Sequence, residues 1–360
     1  MVARILYILL AVLLFGVLIA VHEFGHFFTA KLLGVKVNEF AIGMGPAWWK
    51  RQKGETLYTL RAFPIGGFCA MEGEDEETGD PRSFSRQKGW KKLVILCAGS
   101  FMNFLTGLLI VVLLYTGVAA VQTPVVTTFA GGFPQELIGE EGLLPGDRIV
   151  KIDGHGVWCY DDILTFLQRN DGKSGVDLVV ERDGVWLQRE KLPLYRGTYT
   201  YQGESYTGFG LVFEQTERLT AGSRLRYALV QTADYVRTVW ISLADLVTGR
   251  VSVTQVSGVI GVVDVVSQVG ASSPTAWAGV LNVLNIMALI AVNLAVMNML
   301  PIPALDGGRV LFVLLNGLLW LVCRRRIPAK YEGYVHTGAF ILLLAVMALV
   351  AFHDVWNIFR

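Results

Sequence analysis

The stretch that decides the fold covers residues 21–27 and reads VHEFGHF, inside an apolar run from 5 to 33. If this run is helical, His22 and His26 lie one turn apart on one face, with Glu23 beside them. Two imidazoles at that spacing can bind one Zn²⁺ ion while the glutamate serves as general base. Because uncharged and mostly large apolar residues fill positions 5–21, the run is long enough to span a membrane. The sequence therefore predicts an intramembrane metal site.

An alternative is that these three polar side chains only hold helices together through hydrogen bonds. Ionisable side chains inside a membrane are costly, however, and usually serve a function. One zinc ion accounts for all three residues at once, because its charge offsets the burial of Glu23. The pattern favours the metal site, which requires a third protein ligand from elsewhere in the chain.

Composition places the 360 residues among polytopic membrane proteins with one modest soluble portion, since 53% are hydrophobic and 17% are charged. The net charge of +1 gives no reason to expect a nucleic acid partner. Four scattered cysteines without a CxxC pair indicate neither a zinc ribbon nor a redox pair. The N-terminal run is too long for a signal peptide, so it is expected to remain as the first span.

The predicted fold is a polytopic α-helical membrane protein with four transmembrane helices, at about 5–30, 93–121, 277–300 and 334–353. Lysine and arginine are dense in the loop after the first span and in the connection before the fourth, which places both in the cytoplasm. Both termini and the region 122–276 are then expected outside, in a multi-pass protein of the inner membrane. The charged but periodic stretch 222–247 is expected to be an amphipathic helix on the outer surface or against the soluble portion.

Between the first two spans, residues 35–71 form short extended pieces broken by glycine and proline, which predicts a β-hairpin. The part 40–49 is too apolar for a cytosolic loop. A re-entrant hairpin that lines a cavity is therefore expected, because membrane-depth backbone without helical bonds is tolerated there. Such a hairpin could offer an edge strand to an unwound substrate helix, and Ile42, Gly43, Met44 and Gly45 are its expected substrate-binding residues.

The region 122–215 reads as a small α/β module. Its stretch GLLPGDRIVKIDG at 142–154 predicts a turn, a strand and a second turn, and a helix and two strands follow. The predicted division of the chain is spans one and two with the hairpin, this module, an amphipathic linker, and spans three and four, at 1–121, 122–215, 216–276 and 277–360.

The third span ends in NMLPIPALDGG at 298–308, where two prolines stop the helix and Asp306 follows. Spans one and three both run inward, so His22, His26 and Asp306 are all expected near the cytoplasmic end of the bilayer. Asp306 is the natural third ligand. The other histidines, His155, His336 and His353, have no partner at ligand spacing and are not expected to bind metal.

The stretch at 142–154 resembles the signature of bacterial PDZ domains. The whole chain resembles the site-2 protease family of intramembrane zinc metalloproteases, more closely its bacterial RseP-like branch. That resemblance rests on this signature and on HEFGH at 22–26, IGMGP at 42–46, PIGG at 64–67, Asn103-Phe104, SGVIG at 257–261 and 298–308. It implies that His22, His26 and Asp306 bind Zn²⁺ and that Glu23 is the catalytic base. Well-known members carry two PDZ modules, whereas this chain has room for one.

The resemblance further implies that Asn293 and Asn298 help to hold the substrate. The expected activity is cleavage of single-span membrane proteins within or near their transmembrane segments, after another protease has trimmed them. This is regulated intramembrane proteolysis, for example release of an anti-sigma factor or of a signal-peptide remnant. The alternatives are a metal-ion or proton transporter and a non-catalytic membrane scaffold around the PDZ-like module. The lack of an internal repeat argues against the transporter, and Glu23 argues against the scaffold.

Overall fold

A computed structural model describes residues 2–74, 78–170, 175–250, 258–325 and 327–358. The chain divides into two compact units, one formed by Met1–Leu114 with Tyr235–Arg360 and the other by Tyr115–Asp234. The helices are, in chain order, α1 (Val2–Leu32), α2 (Gly89–Thr116), α3 (Asp161–Arg169), α4 (Ala221–Val247), α5 (Val259–Ser272), α6 (Ala276–Asn298), α7 (Asp306–Cys323) and α8 (Ala329–Ile358).

Among the described helices, five are long and apolar enough to cross a membrane, judged by length and composition: α1, α2, α6, α7 and α8. Four of them overlap the predicted spans. The fifth, α7, begins at Asp306, in a region that the sequence analysis treated as a connection. The two prolines at 301 and 303 do end a helix, but the chain makes one turn and starts another. The stretch 222–247 is helical as α4 and is not one of the five.

In the first unit, α1 packs along α5 and α6 through a buried apolar cluster of Tyr7, Ala11, Leu18, Val266, Val283, Met287 and Ala291. Tyr7 fits against Gly270 and Gly279, where any added Cβ atom would overlap its ring or hydroxyl. The Tyr7 hydroxyl also donates a hydrogen bond to the Ala276 carbonyl at 3.1 Å. These contacts hold α6 alongside α1, so that the end of α6 reaches the level of His22.

A second apolar cluster lies near the end of α1 and the start of α2, and it includes Ala30, Val35, Val37, Cys69, Ile95 and Leu96. Val310 and Val313 of α7 pack against this cluster. Val313 also approaches the first residue of α2, since a Cβ atom on Gly89 would lie 3.9 Å from its Cγ1. Helix α7 therefore runs from Asp306 toward the end of α1 at Leu32.

The hairpin between α1 and α2 consists of β1 (Val37–Lys53) and β2 (Thr56–Met71), which pair antiparallel except where 39–42 runs alongside 57–60 in the same direction. Both strands bend, so the sheet has four segments in the order 47–53, 56–61, 37–42 and 67–71. Ala41, for example, pairs with Thr59 on one side and Phe68 on the other. The bends fall at Gly43, Gly45 and Gly66, whose φ angles of 86°, 86° and 91° favour glycine.

The described strands of the second unit are β3 (Ala120–Gln122), β4 (Thr128–Phe129), β5 (Arg148–Ile152), β6 (His155–Gly156), β7 (Val176–Arg182), β8 (Val185–Leu192), β9 (Gly197–Tyr201), β10 (Glu204–Gly208), β11 (Leu211–Val212) and β12 (Thr216–Arg218). Among these, β6-β5-β7-β8 form a four-stranded sheet in that order, and the others form three two-stranded sheets. The predicted turn, strand, turn and helix at 142–169 are present. Asp147 of the first turn is buried, accepts the Leu144 amide at 2.8 Å and pairs with Arg182 at 2.8 Å.

Candidate metal centre and active site

Three ligand-type atoms meet in the first unit. Nε2 of His22 and Nε2 of His26 lie 3.1 Å and 3.2 Å from Oδ2 of Asp306, and the two nitrogens lie 3.2 Å apart. The histidines are one turn apart on α1, and Asp306 arrives as the first residue of α7. The structure thus brings together the three residues expected to hold the metal.

The hydrogen bonds around these atoms fit a cation at their centre. His26 uses Nδ1 to donate to the Ile95 carbonyl at 2.8 Å, which leaves the lone pair of Nε2 pointing at Asp306 in the neutral ring. Oδ2 of Asp306 is buried and has no hydrogen-bond donor among the described residues. Zinc bonds of about 2.0–2.1 Å in a tetrahedron separate neighbouring ligand atoms by about 3.3 Å, close to the spacing here. The donor set therefore fits a small divalent ion such as Zn²⁺.

Helix α2 forms the wall behind the two imidazoles. Gly99 lies directly against them, because a Cβ atom there would be 2.7 Å from Cε1 of His22 and 2.8 Å from Cε1 of His26. Gly25 of α1 faces the Ala98 carbonyl in the same way. These two glycines allow α1 and α2 to approach closely enough for α2 to support both rings. Sequence reasoning did not identify either glycine, since neither has a local pattern that reports on its neighbours.

Asn103, also on α2, supports His22. Its side-chain amide lies 3.4 Å from Nδ1 of His22, and its Oδ1 is buried without a partner among the described residues. Turning the amide over would place Oδ1 as the acceptor for the Nδ1 proton and would satisfy both groups. In that tautomer Nε2 of His22 also presents a lone pair to the centre, as carboxamide and carbonyl partners commonly ensure for metal-binding histidines.

Glu23 lies on the side of α1 that faces the sheet. Gly67 packs against it, because a Cβ atom there would be 3.3 Å from Cγ of Glu23 and 3.0 Å from the Ala41 carbonyl. The carboxylate interacts with the backbone amide of Cys69 and with the charges of the metal-centre residues. Glu23 is half-buried. It therefore lies between the triad and the segment 67–71.

The segment 67–71 is an edge of the sheet, since its pairing among the described residues is with 37–42 alone. The edge strand was predicted in 40–49. There, Phe40, Ala41 and Ile42 pair on both sides and are interior, whereas 47–53 forms the opposite edge. A hydrophobic pattern shows that a strand exists but does not show the order of bent segments, and this explains the difference.

The expected substrate-binding residues are found in two places. Asn298, at the end of α6, has Nδ2 3.5 Å from Nε2 of His22. Asn293 is exposed and makes no hydrogen bond to the triad in the described part of the chain. Ile42 and Met44 are 38% and 54% exposed at the bend of the sheet. Gly43 and Gly45 form that bend beneath Phe63.

A second group with metal-ligating atoms lies in the other unit, where atoms of Cys159, Asp162 and Asp234 are within 4.8 Å of one another. Asp162 already accepts the amides of Trp158 and Cys159 at 2.6 Å and 3.0 Å. Burial raises the pKa of the Cys159 thiol well above its usual range, so the thiol is a donor toward Asp234 at 3.9 Å. This cluster is accounted for by its own hydrogen bonds.

Comparisons with a protein-family model and with individual relatives both cover nearly the whole chain. Residues 10–346 match the model of the family described as Peptidase family M50. A protein of Clostridium perfringens named as a zinc metalloprotease is 35% identical over 351 residues, which cover 97% of this chain and 98% of that relative. Similarly named proteins of Clostridium acetobutylicum and Fusobacterium nucleatum are 35% and 32% identical, with coverage of 97% and 98% of this chain and 97% and 99% of the relatives.

Proposed function

This chain belongs to peptidase family M50, the site-2 protease family, and from that premise we propose how its own residues hydrolyse a peptide bond. It is a multi-pass membrane protein and an intramembrane zinc metalloprotease. The alternatives of a transporter and of a non-catalytic scaffold gain no support from its relatives. We propose His22, His26 and Asp306 as the zinc ligands and Glu23 as the general base.

The observation that carries the proposal is the convergence of three acceptor atoms within 3.2 Å of one another. Without a cation, two imidazole lone pairs and a carboxylate oxygen would repel each other in a site with little water. When bound there, zinc supplies Lewis-acid polarisation of the scissile carbonyl and of a water molecule. Ile95 and Asn103 hold the imidazoles in the orientation that this requires.

In this proposal Glu23 accepts a proton from the attacking water and passes it to the amide nitrogen that leaves. Its position beside the triad and against 67–71 suits both transfers, because the substrate backbone and the water would meet there. The Cys69 backbone amide interacts with the carboxylate from the side of α1 that faces the sheet. Asn298, at 3.5 Å from His22, is in reach of the same space, and we propose it as the substrate-binding asparagine.

We propose that the substrate is a single-span membrane protein, cut within or near its transmembrane segment. A transmembrane helix hides its carbonyls in hydrogen bonds from residue i to i−4, so it must unwind before it can be cut. An extended segment paired with the edge 67–71 would exchange those bonds for sheet bonds beside Glu23. The exposed side chains of Ile42 and Met44 are available to contact such a segment.

The membrane topology is also a proposal. Four crossings by α1, α2, α6 and α8 keep both basic loops in the cytoplasm and both termini outside. The contacts of Val310 and Val313 with the cluster at the end of α1 support α7 as a helix that continues from the site toward the cytoplasmic face. Arg324 and Lys330 then remain on that face. This arrangement leaves the triad near the cytoplasmic side of the inner membrane and the second unit outside.

We further propose that residues 122–215, within the second unit, form a PDZ-like module. Its support is the signature at 142–154, in which the buried Asp147 ties the turn to Arg182. The cellular role proposed for the enzyme is regulated intramembrane proteolysis, such as release of an anti-sigma factor or of a signal-peptide remnant after a first cut by another protease.

The test distinguishes the role of a general base from the role of a zinc ligand. Full-length protein carrying Glu23→Gln should keep its zinc and lose cleavage of a co-expressed single-span substrate, because the ligands remain while the proton acceptor is lost. Asp306→Ala should lose the zinc itself, as measured by elemental analysis of the purified protein. Appreciable turnover by Glu23→Gln would refute its role, and a full zinc content in Asp306→Ala would refute the ligand set.

A further inference from the structure

We infer that His336 on α8 is a positioning residue that fixes the 299–305 loop, and through it Asp306, at the metal centre. This inference rests on the ligand set proposed above. It assigns a part in zinc binding to a side chain that lies on a different helix from all three ligands.

The loop carries local strain next to the ligand. Ala304, two residues before Asp306, has a φ angle of +80°, in the left-handed region that residues with a Cβ atom rarely adopt. Left to itself, the peptide would relax toward a negative φ angle, and the direction in which the chain enters α7 would change. Something outside the loop must hold this conformation.

His336 holds the loop from outside. Its Nδ1 accepts a hydrogen bond from the Ala304 amide at 3.0 Å, and its ring lies 5.4 Å from the ring of Phe312 on α7. Within the described part of the chain, His336 is the side chain from another element that hydrogen-bonds to the backbone of the loop. The other hydrogen bonds of the loop's backbone, among the described residues, are internal or join it to its own helices, such as the Leu305 amide to the Ile302 carbonyl at 3.2 Å.

The loop transmits this restraint because it has no space to adjust. Gly307 and Gly308, which follow Asp306, lie so close to the carbonyls of Leu300 and Ile302 that a Cβ atom on either would overlap them. A shift at Ala304 therefore moves the first turn of α7 as one body, with the Asp306 carboxylate on it.

The pattern of exposure on α8 agrees with such a role. The most hydrophobic part of this helix has none of its residues buried. Near its start, however, Glu332, His336 and Ala339 are half-buried while their neighbours are exposed. These three are spaced as one face of a helix. His336 is the member of that face with a hydrogen bond to the loop.

The test uses purified full-length protein in detergent and measures how fast zinc is lost to a chelator. His336→Phe keeps a ring against Phe312 but removes the acceptor, so zinc should be lost roughly three- to tenfold faster, as for one hydrogen bond. His336→Asn places an amide oxygen near the position of Nδ1 and should retain zinc within about twofold of the unchanged protein. Gly338→Ala, at a position of α8 with no neighbour within 4 Å, is the matched control and should not change the rate.

A second variant addresses the strain directly. Glycine adopts positive φ angles readily, so Ala304→Gly should recover most of the zinc retention when combined with His336→Phe. In the cobalt-substituted protein, the visible absorption should change in His336→Phe and return toward normal in the double variant, since it reports on the ligand geometry.

Normal zinc retention in His336→Phe would overturn the inference, and so would an equal loss in His336→Phe and His336→Asn, which would indicate packing alone. Failure of Ala304→Gly to recover retention would also count against it. Asp306→Ala distinguishes failure of the proposed ligand set from failure of the positioning role of His336. If Asp306→Ala keeps its zinc, the ligand set is refuted and the positioning role is refuted with it. If it loses zinc while His336→Phe does not, the positioning role alone is refuted.

Discussion

Gly99 offers the sharpest test of how the metal centre is built, because the wall of the site has no room for one methyl group. In Gly99→Ala, the new Cβ atom would lie 2.7 Å and 2.8 Å from the Cε1 atoms of His22 and His26. Carbon atoms in contact are ordinarily about 3.5–4.0 Å apart. Relief therefore requires the rings, or α2 itself, to move by about 0.7–1.3 Å.

A shift of that size at a catalytic centre costs about a hundredfold in rate, or roughly 2.7 kcal/mol of transition-state stabilisation. We expect kcat/KM of Gly99→Ala to fall by about two orders of magnitude, with weaker zinc retention. Overall folding should survive. Alanine improves helix propensity by about 1 kcal/mol over glycine, which offsets part of an overpacking cost of about 1–3 kcal/mol.

The assay is cleavage of a purified single-span substrate in detergent, with zinc content and thermal stability measured on the same samples. Gly317→Ala and Gly338→Ala are matched controls, since both lie in long apolar helices and neither has a neighbour within 4 Å of the added atom. Both should cleave normally. If Gly99→Ala cleaves at the rate of these controls with its zinc intact, α2 does not support the imidazoles as described.

Three further predictions address other parts of the chain. Cys69→Pro should reduce cleavage at least tenfold with zinc retained, since it removes the edge amide beside Glu23, whereas Cys69→Ala should cleave normally. Arg182→Met should destabilise the second unit by about 3–5 kcal/mol in pulse proteolysis of the full chain, because Asp147 is left buried without its partner. A hydrogen bond from Lys31 holds the pKa of Glu55 below its ordinary value of 4.5. Ionised Glu55 therefore stabilises the folded state fully above about pH 4.5, and this stabilisation is lost as the pH falls through the lower pKa that Glu55 has in the folded protein. Glu55→Gln should flatten the acid limb of a plot of stability against pH between about pH 6 and pH 3.

The parts of the site that the sequence predicted are those that depend on local periodicity or on a chain break. His22 and His26 share a face because the helix repeats every 3.6 residues, and the structure places their nitrogens 3.2 Å apart. Asp306 stood out because the prolines before it interrupt an apolar span. Neither inference needed knowledge of any distant contact.

The parts that the sequence did not predict depend on which elements lie beside each other. Gly99 is an ordinary small residue in an apolar helix until its contact with the imidazoles is seen. His336 was not expected to take part in the site, since its partner is a backbone amide at a strained residue far along the chain. Helix α7 was missed because the prolines were interpreted as the end of helical structure. The order of the sheet segments was hidden because both strands bend at glycines.

The position of the sheet answers a difficulty common to any protease inside a membrane. Its substrate must be extended at the point of cleavage, but an extended backbone in lipid has no partners for its amides and carbonyls. In this chain the hairpin follows α1 immediately and folds back on it, so that Gly67 packs against Ile19 and Glu23. A sheet edge is therefore held beside Glu23, the proposed general base, by contacts within the first part of the chain. An unwound substrate can form its new hydrogen bonds at the same place where it meets Glu23. We propose that the sheet edge and Glu23 act as one site, so a variant that moves the edge away from α1, such as Gly67→Val, should lose cleavage while the triad keeps its zinc.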